Sequence, residues 1–342
     1  MARSTVYNNV VSEGNYELVL EENKELLIEF CDYLNSIDRS DLTVKNYASD
    51  IKIFFIWNLE NNKNKFFVDF TKRDMIKFQN FMLNNMKVSS NRIRRLRASL
   101  SSMSNYIEAI MDDLYPNFRN IINKIQAPEK QATREKTILQ DEEIQNLLDY
   151  LVENGNIQQA VALALAWASG SRKSELLRFK VSYFNDENII YGSLYKTPEK
   201  IKTKGRSKQG KMLAKFTLKN KFKLYLDLWI LEREKLGVDI DDLFVIKKDD
   251  KWQCMSESSL NYYAEQFSKY LNKDFYFHCM RHSFTTGLFK AQIPANVIKD
   301  ICGWSSIEMC NIYNDLEVDN ILGDYFDKDG IKEIEKKTIK DL

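Results

Sequence analysis

The sequence predicts a mainly α-helical protein with a small β-sheet, built as a helical N-terminal domain over residues 1–130 and a mixed α/β domain over residues 131–342. Three observations carry this. The first third of the chain repeats apolar side chains at three- and four-residue steps, the period of an amphipathic helix. The second half interleaves such stretches with short apolar runs bounded by glycine turns. Between the two, the run QAPEKQATREK at 126–136 is polar, holds Pro128 and breaks the helical pattern, as an exposed interdomain linker does. A chain of 342 residues with 44% hydrophobic content can bury two ordinary cores.

In the N-terminal part, Ser40 or Asp41 can cap a helix that carries Val44, Tyr47, Ile51, Phe54 and Phe55 on one face. A second helix is expected over 71–85, with Met75, Phe78, Phe81 and Met82 inward. The third is the clearest: Ile93, Leu96, Leu100, Met103, Ile107 and Ile110 form a single apolar seam. Arg92, Arg94, Arg95 and Arg97 flank that seam near its N-terminal end. Arginines at a helix end suit phosphates and guanine edges, although a solvated basic flank has the same composition. In the second half, a helix starts at Asp141 and carries Ile144, Leu147, Leu148 and Leu151. The apolar helix QAVALALAWASG follows and is ended by Gly170. Residues 189–194, 200–204 and 212–218 read as short strands, with GRSKQGK as the turn between two of them. From Lys219 the chain returns to helix.

The net charge of +1, from 50 basic and 49 acidic residues, does not announce a nucleic-acid binder. The distribution says more. Residues 196–215 hold eight Lys or Arg against Glu199 alone, residues 88–98 hold four arginines and no acid, and the tail after Tyr313 is acidic. This fits one DNA-facing side balanced by acidic surface elsewhere. The five cysteines are odd in number and form no CxxC pair, so they read as free thiols of a reducing compartment. The two histidines, His278 and His282, lack the HExxH pattern, and no metal is expected. No run of eighteen apolar residues and no apolar leader core is present, so a cytoplasmic protein without membrane contact is expected.

Four segments carry chemistry-bearing residues. ASGSRKSELLRFK places Arg172 just after a glycine-ended helix, with Glu175 three residues on. IKTKGRSKQGKMLAKFTL is a lysine-rich hairpin. FHCMRHSFTT sets His278 and Arg281 three apart on one helix. ICGWSSIEMCNIYND sets Trp304 nine residues before Tyr313. Singly each is weak, since a lone arginine is usually a surface group and a tryptophan and tyrosine at helical spacing are usually core. In this order and spacing they resemble the tyrosine recombinase family of phage integrases and chromosome-dimer resolvases, over nearly the whole chain.

The resemblance implies a helical core-binding domain and a catalytic domain closing as a clamp on double-stranded DNA. It implies Tyr313 as nucleophile, forming a 3′-phosphotyrosyl bond and releasing a 5′-hydroxyl. Arg172 and Arg281 would hold the non-bridging phosphate oxygens, and His278 would take or give the tyrosine proton. Trp304 stands where many relatives have histidine. Lys204 would be the general acid for the 5′-oxygen, with Lys202 and Lys208 as further candidates in the same turn and as DNA contacts. Glu175 would orient its neighbours. These roles match the chemistry. Guanidinium forks meet two phosphate oxygens at once and stay charged, phenol is a weak nucleophile without assistance, and tryptophan can donate one N–H but cannot shuttle protons. Neither metal nor nucleotide is required by such a scheme. Site-specific recombination or integration is the expected function. A DNA-binding regulator of the phage-repressor kind, reusing the fold without strand exchange, is the alternative, and a nicking–closing topoisomerase the third. Leu316, Val318, Ile321, Leu322, Tyr325 and Phe326 suggest a short amphipathic tail helix, which either packs on its own domain or, as the resemblance implies, docks on a neighbouring subunit in a tetramer on DNA.

Overall fold

The computed structural model describes residues 5–131, 137–205, 207–313, 326–327 and 330–331, with side chains as far as Cys310. The chain forms two units. One is Met1–Glu135 together with Gly205–Gly210, and the other is Lys136–Lys204 with Lys211–Leu342.

The first unit is helical: α1 (Val6–Val10), α2 (Glu13–Glu17), α3 (Glu21–Ser36), α4 (Asp41–Asn61), α5 (Lys72–Asn80) and α6 (Ser90–Ile110). Ser40 caps α4, its side chain accepting the Thr43 N–H. Thr71 and Asp74 cap α5 reciprocally. The expected helix over 71–85 stops being α-helical at Asn80 and finishes as a π turn, Phe81–Asn85, with Met86 N–H reaching the Phe81 carbonyl. The α6 seam is as expected from Ile93 to Ile107, packing on Phe54, Phe55, Phe30 and Phe78. Ile110 differs. It is 54% exposed, because the helix ends there.

In the second unit α8 (Ile157–Ser169) is central. Every residue from Ala160 to Ser169 is buried, and its alanines let α10 (Lys219–Leu236) and α12 (Phe277–Lys290) come close on either side. Around it lie α7 (Asp141–Glu153), α9 (Lys173–Leu176), α11 (Glu257–Leu271), α13 (Ala295–Cys302) and α14 (Glu308–Tyr313). A three-stranded antiparallel sheet pairs β1 (Ile189–Ile190) with β2 (Leu194–Lys196), and β2 with β5 (Phe216–Leu218). The strands β3 (Ile201–Thr203) and β4 (Lys211–Leu213) form a separate hairpin around the basic turn. So the expected strand at 212–218 is two strands, broken at Ala214 and Lys215. A further hairpin, β6 (Val245–Lys248) with β7 (Lys251–Cys254), lies in a stretch read as helical. Its turn residues Asp249 and Asp250 take φ of 49° and 57°, the left-handed pair that a tight two-residue hairpin demands. Of the expected tail helix, positions 316–325 lie outside the described residues. Phe326 is not helical: β8 (Phe326–Asp327) pairs with β9 (Gly330–Ile331). Among the described residues, no helix is long and apolar enough to cross a membrane.

Candidate active site and nucleic-acid interface

Gly170 sets the geometry of the site. With φ of 56° it ends α8 in the left-handed conformation and turns the chain into Arg172, the N-cap of α9. Its carbonyl accepts Arg281 Nη1 at 2.8 Å, and Arg281 Nη2 donates to the Cys302 carbonyl at 2.5 Å. Arg281 on α12 is 1% exposed, and its guanidinium lies 5.3 Å from the centre of the Trp304 ring. Trp304 is buried and follows Gly303, the left-handed cap of α13. A guanidinium has five N–H donors, so two carbonyls fix its plane without exhausting it.

Arg172 is held differently. Its Nη1 donates to Glu175 Oε1 at 2.7 Å and its backbone N–H to Oε2 at 3.1 Å. Glu175 is wholly buried, and Oε2 also meets Lys215 Nζ at 2.5 Å. Burial works to raise the Glu175 pKa, but Lys215 and Arg172 outweigh it and hold the carboxyl below its ordinary value. The Lys215 ammonium is pulled below its ordinary value, first by burial and then by its like-charged neighbours Arg281 and Arg172, against the attraction of Glu175. Two cations, Arg172 and Lys215, thus share one carboxylate.

His278, one helical turn before Arg281, has an exposed edge and lines a cavity of about 340 Å³ with Arg172, Ser174 and Tyr276. Its pKa is pushed down to about 4, first by loss of hydration, then by His282, Arg281, Arg172 and Lys204. The imidazole is therefore neutral at neutral pH and can accept a proton. Lys204, exposed at the end of β3, belongs to this field, as its effect on His278 requires. Lys202 is also exposed, and its carbonyl accepts Arg178 Nη1 at 2.9 Å. Lys208 lies with the first unit, 3.6 Å from Asp41. Tyr313 closes α14, which packs on α12 and α13, so its backbone is carried by the helices that carry Arg281 and precede Trp304. Arg172, Lys204, His278, Arg281 and Trp304 thus converge within one unit. Lys215, buried beneath them, was not singled out by its sequence context.

One prediction follows from the imidazole. In the DNA-free protein the His278 resonance is expected to titrate with a midpoint of about 4, and DNA phosphate is expected to raise it. Because the unfolded chain takes up this proton near 6.5 and the native one only near 4, stability declines as pH falls across that window. Proton NMR suits a chain with two histidines. A midpoint at the ordinary value would mean that neither burial nor the cationic neighbours act on the ring.

In the first unit, the α6 arginines divide. Asp50 of α4, buried, accepts a hydrogen bond from Ser99 Oγ at 2.8 Å and forms ion pairs with Arg92 (Nη1–Oδ1 2.6 Å) and Arg95 (Nε–Oδ2 3.2 Å). Arg92 and Arg95 remain partly exposed, a pair of guanidinium groups aligned by one carboxylate. Arg94 is exposed and donates to the Pro128 carbonyl. Arg97 departs from expectation. It is 7% exposed and donates to Gln79 Oε1 and to the Ile122 and Ile125 carbonyls. It stands four residues after Ile93 and three before Leu100, on the apolar side of α6. Arg97→Ala is expected to cost about 2 kcal/mol of stability by leaving these acceptors unpaired. Arg95→Ala is expected to leave stability within about 0.5 kcal/mol and to weaken DNA binding. Denaturant melts and gel shifts on both variants check this, and the reverse pattern would refute the division.

The phage integrase family model matches residues 137–319. The SPbeta prophage-derived recombinase-like protein YomM of Bacillus subtilis (strain 168) is 31% identical over 286 residues, 82% of this chain and 83% of that protein. A tyrosine recombinase of Pseudothermotoga lettingae is 25% identical over 297 residues, covering 85% and 93%. Among solved structures, the Tn1549 transposon integrase in complex with circular intermediate DNA matches with a TM-score of 0.64 at 16% identity, covering 87% of this chain and 98% of that one. The XerH site-specific recombinase bound to palindromic difH substrate matches with a TM-score of 0.63 at 18% identity, covering 82% and 78%. These structural likenesses speak to the fold.

Proposed function

The chain belongs to the phage integrase family, the tyrosine recombinases, and from that premise we propose that it is a site-specific recombinase or integrase that cuts and rejoins double-stranded DNA through Tyr313. The observation that carries this reading is the convergence of Arg172, Arg281, His278, Lys204 and Trp304 around the turn at Gly170, with the Tyr313 helix packed on α12, which carries His278 and Arg281, and on α13, which leads into Trp304.

In the proposed reaction, Arg172 and Arg281 neutralise the non-bridging oxygens of the scissile phosphate, whose charge grows in the transition state. Tyr313 forms a P–O bond to the 3′ side while the bond to the 5′-oxygen breaks. His278 takes the phenol proton, and Lys204 supplies the proton that the departing 5′-oxygen needs. Trp304 packs on Arg281 and holds its plane, which requires no titratable group. Rejoining runs the same steps in reverse on a new 5′-hydroxyl, so the bond energy is retained in the phosphotyrosine. Arg92, Arg94 and Arg95, with Lys202 and Lys208, would contact the DNA, and affinity would fall steeply with salt. Strand exchange brings copies of the chain together on DNA, with the tail as the element that docks between them. The work is done in the cytoplasm, where free thiols persist.

The test is incubation with a duplex nicked next to the cleavage site, so that the released fragment diffuses away. Wild type is expected to leave a denaturant-resistant protein–DNA adduct, and Tyr313→Phe none. Sequence-specific binding without an adduct would instead assign the chain to regulation.

A further inference from the structure

We infer that Lys215 is a positioning residue for the phosphate clamp: acting through Glu175, its buried ammonium fixes the Arg172 guanidinium and ties it to the sheet that adjoins the Lys204 hairpin. The inference rests on the recombinase reading for its consequence, but not for its geometry.

Lys215 is 3% exposed, and a lysine is almost never so buried without a specific reason. It lies between β4 and β5, the former being one strand of the hairpin whose other strand leads into Lys204. Its backbone is clamped on both sides by Thr197. Thr197 N–H donates to the Lys215 carbonyl at 3.0 Å, and Lys215 N–H donates to Thr197 Oγ1 at 3.0 Å. From this fixed base the ammonium reaches Glu175, whose other contacts are the side chain and backbone N–H of Arg172. The carboxylate is therefore shared. One oxygen aims Arg172, the other is pinned by Lys215, and rotation of the carboxylate would break both. Without Lys215, Glu175 would be a wholly buried carboxylate facing only the partly exposed Arg172, and it would either protonate or swing. Arg172 would then lose its aim without itself being altered. Lys215 also adds positive charge close to Arg281 and Arg172, which favours an incoming phosphate.

The experiment compares wild type with Lys215→Met, Lys215→Arg and the double variant Lys215→Met/Glu175→Gln, in which the buried charges are removed together. On the nicked duplex, Lys215→Met is expected to slow adduct formation by roughly 100-fold, as misplacement of a catalytic group does, with DNA affinity within about threefold and Lys215→Arg partly restored. Its acid limb is expected to move to higher pH, because Glu175 then protonates more readily. The double variant is expected to recover thermal stability without recovering rate. A role in stability alone predicts wild-type rate and an unmoved pH profile at temperatures where the single variant is folded, and that result overturns the inference. A readout independent of cleavage is the Nε–Hε NMR signal of Arg172, assigned with Arg172→Lys. It is expected to be sharp in wild type and broadened in Lys215→Met, and an unchanged signal also overturns the inference. Should wild type form no adduct, the recombinase reading fails, while this signal still decides what Lys215 does.

Discussion

Arg281→Ala is expected to lower covalent joining to DNA about 10³-fold, the loss that follows removal of one preorganised donor from a phosphoryl or acyl site, while much of the DNA binding survives. The same substitution is expected to destabilise the fold more than Arg172→Ala does. Arg281 is nearly inaccessible and bridges the carbonyls of Gly170 and Cys302, one at the end of α8 and the other at the end of α13. Truncation leaves both carbonyls without this donor and opens a cavity under Trp304. Relief of repulsion with Lys215 returns part of the loss, so a net cost of about 2–4 kcal/mol is expected. The Arg172 side chain is 26% exposed, and its truncation leaves Glu175 still held by Lys215 and by the residue 172 backbone N–H. A cost of about 1 kcal/mol is expected there. Adduct yield and thermal melting of the two variants check both halves. Cleavage by Arg281→Ala at the normal rate would sink the clamp, and greater instability in Arg172→Ala would sink the bridging role.

The two arginines show what one-dimensional pattern can and cannot carry. Arg172 and Arg281 were both legible as candidates, but not as one half-exposed and one buried group. That difference depends on which face of α12 meets α8, and α8 gives no amphipathic cue, since it is buried from Ala160 to Ser169. Arg97 is a contrasting case. Its spacing from Ile93 and Leu100 already placed it on the seam side, and grouping it with Arg92 and Arg95 by charge alone overrode that periodicity. Lys215 had a local signal, a single cation inside the apolar run MLAKFTL, yet its partner lies 40 residues earlier in the chain. A buried charge can be recognised only when its counter-charge is known, and that pairing is tertiary. The β6–β7 hairpin was missed for a local reason: its turn uses two aspartates at positive φ where glycine or asparagine would have marked it.

Gly170→Ala joins these points, because it tests packing and chemistry at one backbone position. The residue has φ of 56°, and a Cβ there would stand 2.4 Å from Phe284 Cδ1 and 2.9 Å from Cγ. The left-handed conformation alone costs a non-glycine residue about 1 kcal/mol, and forced overpacking against a buried ring adds about 1–3 kcal/mol. A loss of about 2–4 kcal/mol is therefore expected, or a fall of roughly 5–15 °C in Tm for a unit of this size. Gly155→Ala separates the two terms. Gly155 also has positive φ, 70°, but nothing lies within 4 Å of its would-be Cβ, so only the conformational cost applies. Phe284 is on α12 with His278 and Arg281, so any shift of that helix to relieve the clash would move both. Since the Gly170 carbonyl is itself an Arg281 acceptor, adduct formation is expected to fall together with stability. Trimming the ring as Phe284→Leu in the Gly170→Ala background should return part of both. Equal costs for Gly155→Ala and Gly170→Ala would mean that Phe284 or α12 gives way without resistance, so the packing beside the Gly170 turn would not hold Arg281 rigidly.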